Sequence, residues 1–311
     1  MDLELRGVAG PDGWPAEGCR CASCNRLRAA GIRHAPARVL VDGVPPAAHP
    51  RGRAVPGGHD VAGRLLVAGG PGECPEPVPG AVYEAVLLDL VGAPEHLGRL
   101  RRAGAVTDRT EVHALHVDHR VPSPAELERR TGFWSRPPGG PWRTVLLGGS
   151  RSGKSAEAEL RLMGHPDVTY VATGPDRPGD AEWTARVEAH RRRRPAWWRT
   201  VETVDLPPLL ESAAGALLID GIGTWLAAVM DETGAWQDPA AVAPRLDALV
   251  AAWRATSAQV IAVSDEVGLS LVSANRAGRA FADALGRLNQ RLVAESEEAA
   301  LVVAGRVVEL A

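Results

Sequence analysis

Residues 148 to 155 read GGSRSGKS and follow directly on the apolar run TVLLGG. Gly148, four residues, then Gly153, Lys154 and Ser155 satisfy the G-x-x-x-x-G-K-[ST] pattern, with a strand-like run before it and a helix-like run after it. Such a loop, here Gly148, Gly149, Ser150, Arg151, Ser152 and Gly153, turns backbone N–H groups toward phosphate oxygens. The following helix adds the positive end of its dipole. Lys154 supplies a point charge to the outer phosphates, and Ser155 is placed to ligate magnesium. The site also needs an acid at the end of a neighbouring strand to hold the metal's water shell. Asp220, closing the run GALLID, is placed for it, although an Asp after an apolar strand is by itself an ordinary turn residue. These residues point to a nucleotide-dependent phosphotransferase or NTPase; a glycine-rich turn that binds nothing is the plainer alternative.

A second group of reactive residues lies near the start. Three of the four cysteines crowd into CRCASC as Cys19, Cys21 and Cys24, with Cys74 apart, unlike the spread framework of a secreted disulfide fold. Three close thiols suit a structural zinc completed by a distant ligand such as His116, His119 or Cys74. Buried inert thiols, or the remnant of a lost site, explain them equally.

Two kinds of chain must position these groups. Residues 1 to 140 are rich in Gly and Pro, with short runs at ARVLVDG, GRLLVAGG, YEAVLLDLVG and EVHALHVDH that predict strands between turns. The segment SRPPGGPW, 135 to 142, stops both helix and strand and marks a domain boundary. From 143 to 311, buried-strand runs (TVLLGG, VTYVATG, GALLID, VIAVSDE, AALVVAG) alternate with helical spacing. The fold class expected is α/β: a P-loop NTPase domain with a mainly parallel sheet, preceded by a smaller α+β domain. A helix is predicted from Asp180 to just before Pro195 and another over residues 273 to 298. Ligands of such sheets bind at the carboxyl ends of the strands.

Composition excludes several classes. A formal net charge of -3 gives no broad pull toward nucleic acid or an anionic membrane. No run approaches a membrane span, and MDLELRG lacks the makings of a signal peptide, so a cytoplasmic protein is expected.

Six separated segments, from Thr144 to about Gly305, resemble the bifunctional adenosylcobinamide kinase/adenosylcobinamide-phosphate guanylyltransferases of cobalamin biosynthesis. They are GGSRSGKS, YVATG at 170–174, ARVEAHRRRRPAWWRTVE at 185–202, LLIDGIGTWL at 217–226, SDEVG at 264–268 and GRLNQRL at 286–292. The resemblance implies phosphorylation of adenosylcobinamide by ATP or GTP, then transfer of GMP from GTP onto the new phosphate. It implies a GMP-histidine intermediate at His190, a nucleotide site lined by Ala172, Thr173 and Gly174, contacts of Glu202 and Asp220 with GTP or its Mg2+, and a homotrimer. A neutral imidazole is a competent nucleophile, and on the predicted helix Arg186 shares a face with His190, where its charge suits the α-phosphate. Arg191 to Arg194 read either as a solvated helix end or as an attraction for triphosphate. Glu266 is expected to face the cleft, although Ser264-Asp265 stands where the family usually has Thr-Asn. Asn275 and Asn289 are expected to be structural.

The opening LRGVAGPDGWPAEGCRCASC resembles the start of metallo-β-lactamase-fold phosphodiesterases. Their H-x-H-x-D-H metal cluster is absent: HALHVDH at 113–119 has Ala114 where the first His belongs. Residues 1–140 are therefore expected to be a shortened, degenerate domain without hydrolytic activity. Two rival readings are a generic P-loop kinase or NTPase with no covalent intermediate, and a metal-dependent phosphodiesterase with a regulatory P-loop half.

Overall fold

The computed structural model describes residues 1–135, 140–174, 188, 191–269 and 273–310. The chain forms two compact units, Met1–Pro137 with Met163–Pro166, and Pro138–Leu162 with Asp167–Ala311.

In the first unit β1 (Leu3–Arg6) pairs antiparallel with β2 (Arg38–Val41). A five-stranded sheet follows in chain order: β3 (Gly52–Val55), β4 (Gly58–Val61), β5 (Leu65–Ala68), β6 (Ala85–Leu88) and β7 (Glu111–Ala114). Its first three strands form an antiparallel meander and its last three are parallel. LLVA and AVLL are buried at every position, as strands covered on both faces must be. The helices are α1 (Ala22–Ala29), α2 (Glu95–Arg102) and α3 (Pro124–Trp134). Ser123 starts α3 by accepting the Glu126 N–H on its side chain, with proline in the first turn. Each of the four expected strand runs contains a strand. No apolar run marks the hairpin β3–β4, because GRAV and GHDV are too short and polar to stand out beside the Pro-Gly that joins them.

The second unit is the sheet β8 (Trp142–Gly148), β9 (Val168–Ala172), β10 (Arg199–Glu202), β11 (Ala216–Asp220), β12 (Gln259–Asp265), β13 (Glu298–Val303) and β14 (Arg306–Glu309). Its order is β10-β9-β11-β12-β8-β13-β14, parallel except for the final β13–β14 hairpin. The crossovers carry α4 (Lys154–Leu162), α5 (Leu206–Ser212), α6 (Ile222–Thr233), α7 (Ala243–Ala255) and α8 (Arg276–Ala294). Asn275, expected to be structural, caps α8 through Oδ1, 2.6 Å from the Gly278 N–H. The helix predicted from Asp180 falls largely outside the described residues, of which Glu188 and Arg191–Arg193 are helical.

The alternating faces of the central strands put Leu217, Ile219, Val260 and Ala262 against Trp225, Trp253, Leu285 and Leu288 in one buried cluster. Both indoles satisfy their polar edge: Trp225 Nε1 donates to Val204 O at 2.8 Å and Trp253 Nε1 to Ser296 Oγ at 3.0 Å. Among the described residues no helix is long and apolar enough to cross a membrane.

The chain turns sharply between Asp220 and α6 at Gly221, whose φ is 116°. A Cβ there would collide with Thr224 Oγ1 and come within 3.0 Å of Thr173 Oγ1. Gly221→Ala is therefore expected to destabilise the protein by about 1–3 kcal/mol, read as a lowered midpoint in urea denaturation.

Candidate nucleotide-binding site

Strand register assembles the site. Glu202 pairs with Ala172, Ala172 with Asp220 and Asp220 with Val263; two residues further along β12, Asp265 pairs with Gly148. The last residues of five parallel strands thus stand side by side at the carboxyl edge of the sheet. The glycine-rich loop leaves the end of β8 there. Gly153, with φ 101°, makes the turn into α4. The Ser152 N–H donates to Gly149 O, Gly305 N–H to Ser152 O at 2.7 Å and Glu266 N–H to Gly148 O at 3.1 Å, so both neighbouring strand ends hold the loop.

Lys154 Nζ lies 3.1 Å from Gly149 O and 2.9 Å from Asp265 Oδ1. Ser155 Oγ donates to Asp220 Oδ1 at 3.0 Å, and the Tyr170 hydroxyl to Asp220 Oδ2 at 2.8 Å. Burial, followed by the Asp220 carboxylate, pushes the Tyr170 hydroxyl far above its ordinary range, so it remains a protonated donor to that acid. A serine hydroxyl beside a carboxylate oxygen is a pair of hard donors, the chemistry Mg2+ takes. Ser152 Oγ is buried within the loop without a partner among the described residues, as fits a loop built to receive acceptor atoms.

An open cleft lies beside these groups. Of the expected residues, Lys154, Ser155, Ala172, Thr173, Gly174, Glu202 and Asp220 line it. Gly148, Gly149, Ser150, Arg151, Ser152 and Gly153 form the loop at its edge, with Arg151 in the left-handed region at φ 57°. His190 and Arg186 lie outside the described residues. Tyr170, Thr200, Thr224, Val263 and Asp265 also line the cleft. Thr224 Oγ1 sits 2.9 Å from Thr173 Oγ1, and Thr173 Oγ1 donates to Gly221 O at 2.6 Å, which fixes the lip between β9 and β11.

The four arginines have separate partners. Arg193 binds Glu159 of α4 at 2.8 Å, and that hydrogen bond raises its already high pKa. Arg194 stacks 3.5 Å above the Tyr170 ring, and its burial lowers its pKa. Arg191 reaches Glu202 at 3.6 Å and Arg192 reaches Glu188 at 3.6 Å. Arg191 and Arg194 line the cleft, so the run is more than a solvated helix end.

Two expectations need correction. The strands beside β8 are β12 and β13, not β11; of these β12 closes on an acid, Asp265, and Asp220 reaches Ser155 from one strand further away. The rule that picked Asp220, an acid closing an apolar strand, also picks Asp265. Glu266 does not line the cleft: its carboxylate turns back to accept the Gly268 N–H at 2.7 Å, because side chains alternate at a strand end and Asp265 takes the inward place. Asn289 is structural as expected: buried, it accepts from Ser264 Oγ and donates to Asp265 O. Away from this site, Cys19, Cys21 and Cys24 converge on His119; His116 and Cys74 are not in that group.

A model of the family described as "Cobinamide kinase / cobinamide phosphate guanyltransferase" matches residues 144–310. The chain is 36% identical over 179 residues to the bifunctional adenosylcobalamin biosynthesis protein CobU of Salmonella typhimurium, the match taking in 52% of this chain and 95% of that protein. It is 34% identical over 174 residues to the protein of the same name from Escherichia coli, with 52% and 95% covered. To the bifunctional adenosylcobalamin biosynthesis protein CobP of Pseudomonas aeruginosa it is 36% identical over 168 residues, with 52% and 94% covered.

Lys154 must leave Asp265 before its ammonium can serve a phosphate, and the remaining carboxylate then repels the phosphate. Both effects act in one direction. Asp265→Asn is expected to tighten nucleotide binding measured without magnesium by about twofold to fivefold, read by isothermal titration calorimetry.

Proposed function

This chain belongs to the family of bifunctional cobinamide kinases and cobinamide phosphate guanyltransferases, and on that premise we propose how the residues of its cleft divide the two reactions. The observation that carries the proposal is the row of strand ends that sets Lys154, Ser155, Asp220 and Glu202 around one cleft.

In the kinase reaction the hydroxyl oxygen of the aminopropanol arm of adenosylcobinamide attacks the γ-phosphorus of ATP or GTP. The bond to the β–γ bridging oxygen breaks and a nucleoside diphosphate leaves. Backbone N–H groups from Gly149 to Lys154 hold the phosphates, and Lys154 follows the charge that grows on the transferred oxygens. Ser155 and Asp220 would hold Mg2+, which when bound neutralises phosphate charge. Tyr170 keeps Asp220 turned toward Ser155.

In the guanylyl transfer, a His190 nitrogen attacks the α-phosphorus of GTP and pyrophosphate leaves. A phosphate oxygen of adenosylcobinamide phosphate then displaces the imidazole, giving adenosyl-GDP-cobinamide and restoring the histidine. His190 takes this role from the match of RVEAHRRRRP, and Arg186 is its charge-stabilising neighbour. Glu202, with Ala172, Thr173 and Gly174, is proposed to contact the guanine nucleotide. A homotrimer whose subunits border one another's sites belongs to the same proposal. Residues 1–140 are proposed to be a degenerate metallo-β-lactamase-like domain without hydrolytic activity. In support, the sequence lacks an intact H-x-H-x-D-H cluster, Ala114 standing where its first His belongs.

Intact-mass measurement after incubation with GTP and Mg2+ is expected to show one added GMP, lost on acid treatment and absent in His190→Ala. Label persisting in that variant would overturn the nucleophile assignment; nucleotide turnover with no label would favour a plain P-loop kinase. Lys154→Ala is expected to lower kinase turnover by about 10²–10³-fold, read in a coupled nucleoside diphosphate assay.

A further inference from the structure

The sulfur atoms of Cys19, Cys21 and Cys24 and a ring nitrogen of His119 all lie within 4.8 Å of one another. His119 lies 95 positions beyond Cys24 in the sequence, so the fold and not local chain geometry makes the cluster. All four cysteines of the chain are free of disulfides.

The backbone around each member is bolted in place. Arg28 fixes the approach to Cys19, its guanidinium donating to Cys19 O and Ala16 O at 2.6 Å each. Cys21 is the N-cap of α1, and its sulfur accepts the Cys24 N–H at 3.4 Å. Ser23, between two of the thiols, is buried; its hydroxyl donates to Val121 O at 3.0 Å and accepts from Trp14 Nε1 at 3.1 Å. Arg26 Nη2 donates to Pro122 O at 2.7 Å. Helix α1 is thus tied directly to the turn that carries His119. On the other side of that turn, Val117 N–H donates to Val8 O and its carbonyl accepts the Gly10 N–H. His116 adopts a φ of 57°, a conformation that non-glycine residues hold only where the surroundings impose it. Cys24 is fully buried in the cluster of Ala9, Trp14, Leu27, Val117 and Val121, with Cys19 and Cys21 packed at its margin.

We propose that Cys19, Cys21, Cys24 and His119 bind one zinc ion in a closed tetrahedral site that ties the start of α1 to the turn after β7. Three thiolates and an imidazole are a soft set that selects zinc over the magnesium of the nucleotide site. Four protein ligands leave no open position for water or substrate, so the ion is structural and not catalytic. The proposal is independent of the reading of the nucleotide site.

The test uses the full chain. Protein from zinc-replete medium is expected to contain one zinc per chain by plasma mass spectrometry. One of its four thiols, Cys74, is expected to react with a chromogenic disulfide before chelation, and all four afterwards. Reconstitution of the stripped chain with Co2+ is expected to give thiolate-to-cobalt charge-transfer bands together with the intense visible bands of tetrahedral cobalt. His119→Ala is expected to weaken zinc binding by at least about tenfold in a chelator competition, and Cys21→Ser more. A wild-type chain isolated without zinc and with four reactive thiols, or one giving no charge-transfer band with Co2+, overturns the proposal even if both variants fail to fold. So does zinc held equally tightly by wild type and His119→Ala. GMP labelling of the chelated protein reports separately on the nucleotide site.

Discussion

Hydrogen-bond register across a parallel sheet is the constraint from which the nucleotide site follows. Parallel strands run in one direction, so their carboxyl ends share an edge, and register decides which residue of each stands there. A shift of one residue in β11 would turn Asp220 to the opposite face and put Ile219 in its place. The pairings of Ala172 with Glu202 on one side and Asp220 on the other, and of Gly148 with Asp265, leave no such freedom. The strands between are largely buried on both faces, so a slip would also force their Val, Leu and Ile side chains into spaces shaped for other side chains.

A buried polar brace holds the same edge from behind. Ser264 and Asn289 are both almost fully buried, and Ser264 Oγ donates to Asn289 Oδ1 at 2.7 Å while Asn289 Nδ2 donates to Asp265 O at 3.0 Å. Each such bond contributes only about 0.5–1.5 kcal/mol net, but leaving either group unpaired costs about 1–3 kcal/mol. The brace therefore specifies how α8 sits on the end of β12 more than it adds stability. It also accounts for the serine in Ser264-Asp265: the hydroxyl serves the brace, and the carboxylate next to it turns to Lys154.

The parallel half was legible because its signals are local. Each strand is a short apolar run, and the glycines, Lys154 and Ser155 occur within eight consecutive residues. All five expected strand runs are strands, and Lys154, Ser155 and Asp220 come together. What escaped was relational. Strand order cannot be read from the runs, so Asp220 was assigned to the adjacent strand and Asp265 passed over. β10 and β14 are short edge strands with half their residues charged, and no apolar run marks them. Tyr170 stands in the strand run VTYVATG with nothing local to set it apart; only the sheet shows its hydroxyl reaching Asp220. In the first half, CRCASC offered three of the proposed ligands, but the proposed fourth depended on the fold: His116, His119 and Cys74 were equally good candidates, and His119 is the one that lies beside the three thiols.

The arginine run shows how one composition serves several tasks. Four consecutive arginines would repel one another if they pointed the same way, but successive helical residues point about 100° apart and a turn separates them further. Arg193 meets Glu159, whose side chain is only 3% exposed, so this ion pair is the least screened of the three that Arg191, Arg192 and Arg193 make with Glu202, Glu188 and Glu159. It fastens the segment to α4, the helix that begins with Lys154 and Ser155. With Arg193 so held, Arg194 falls over the Tyr170 ring and Arg191 beside Glu202, both on the cleft. Glu159 is therefore the residue through which the phosphate-binding helix holds the residues that directly follow His190. It does so without touching the cleft itself: Glu159 is buried on α4 and does not line it. Loss of that carboxylate would leave Arg193 without its partner on α4 and loosen Arg191 and Arg194 from their places on the cleft, while Lys154, Ser155 and Asp220 kept theirs.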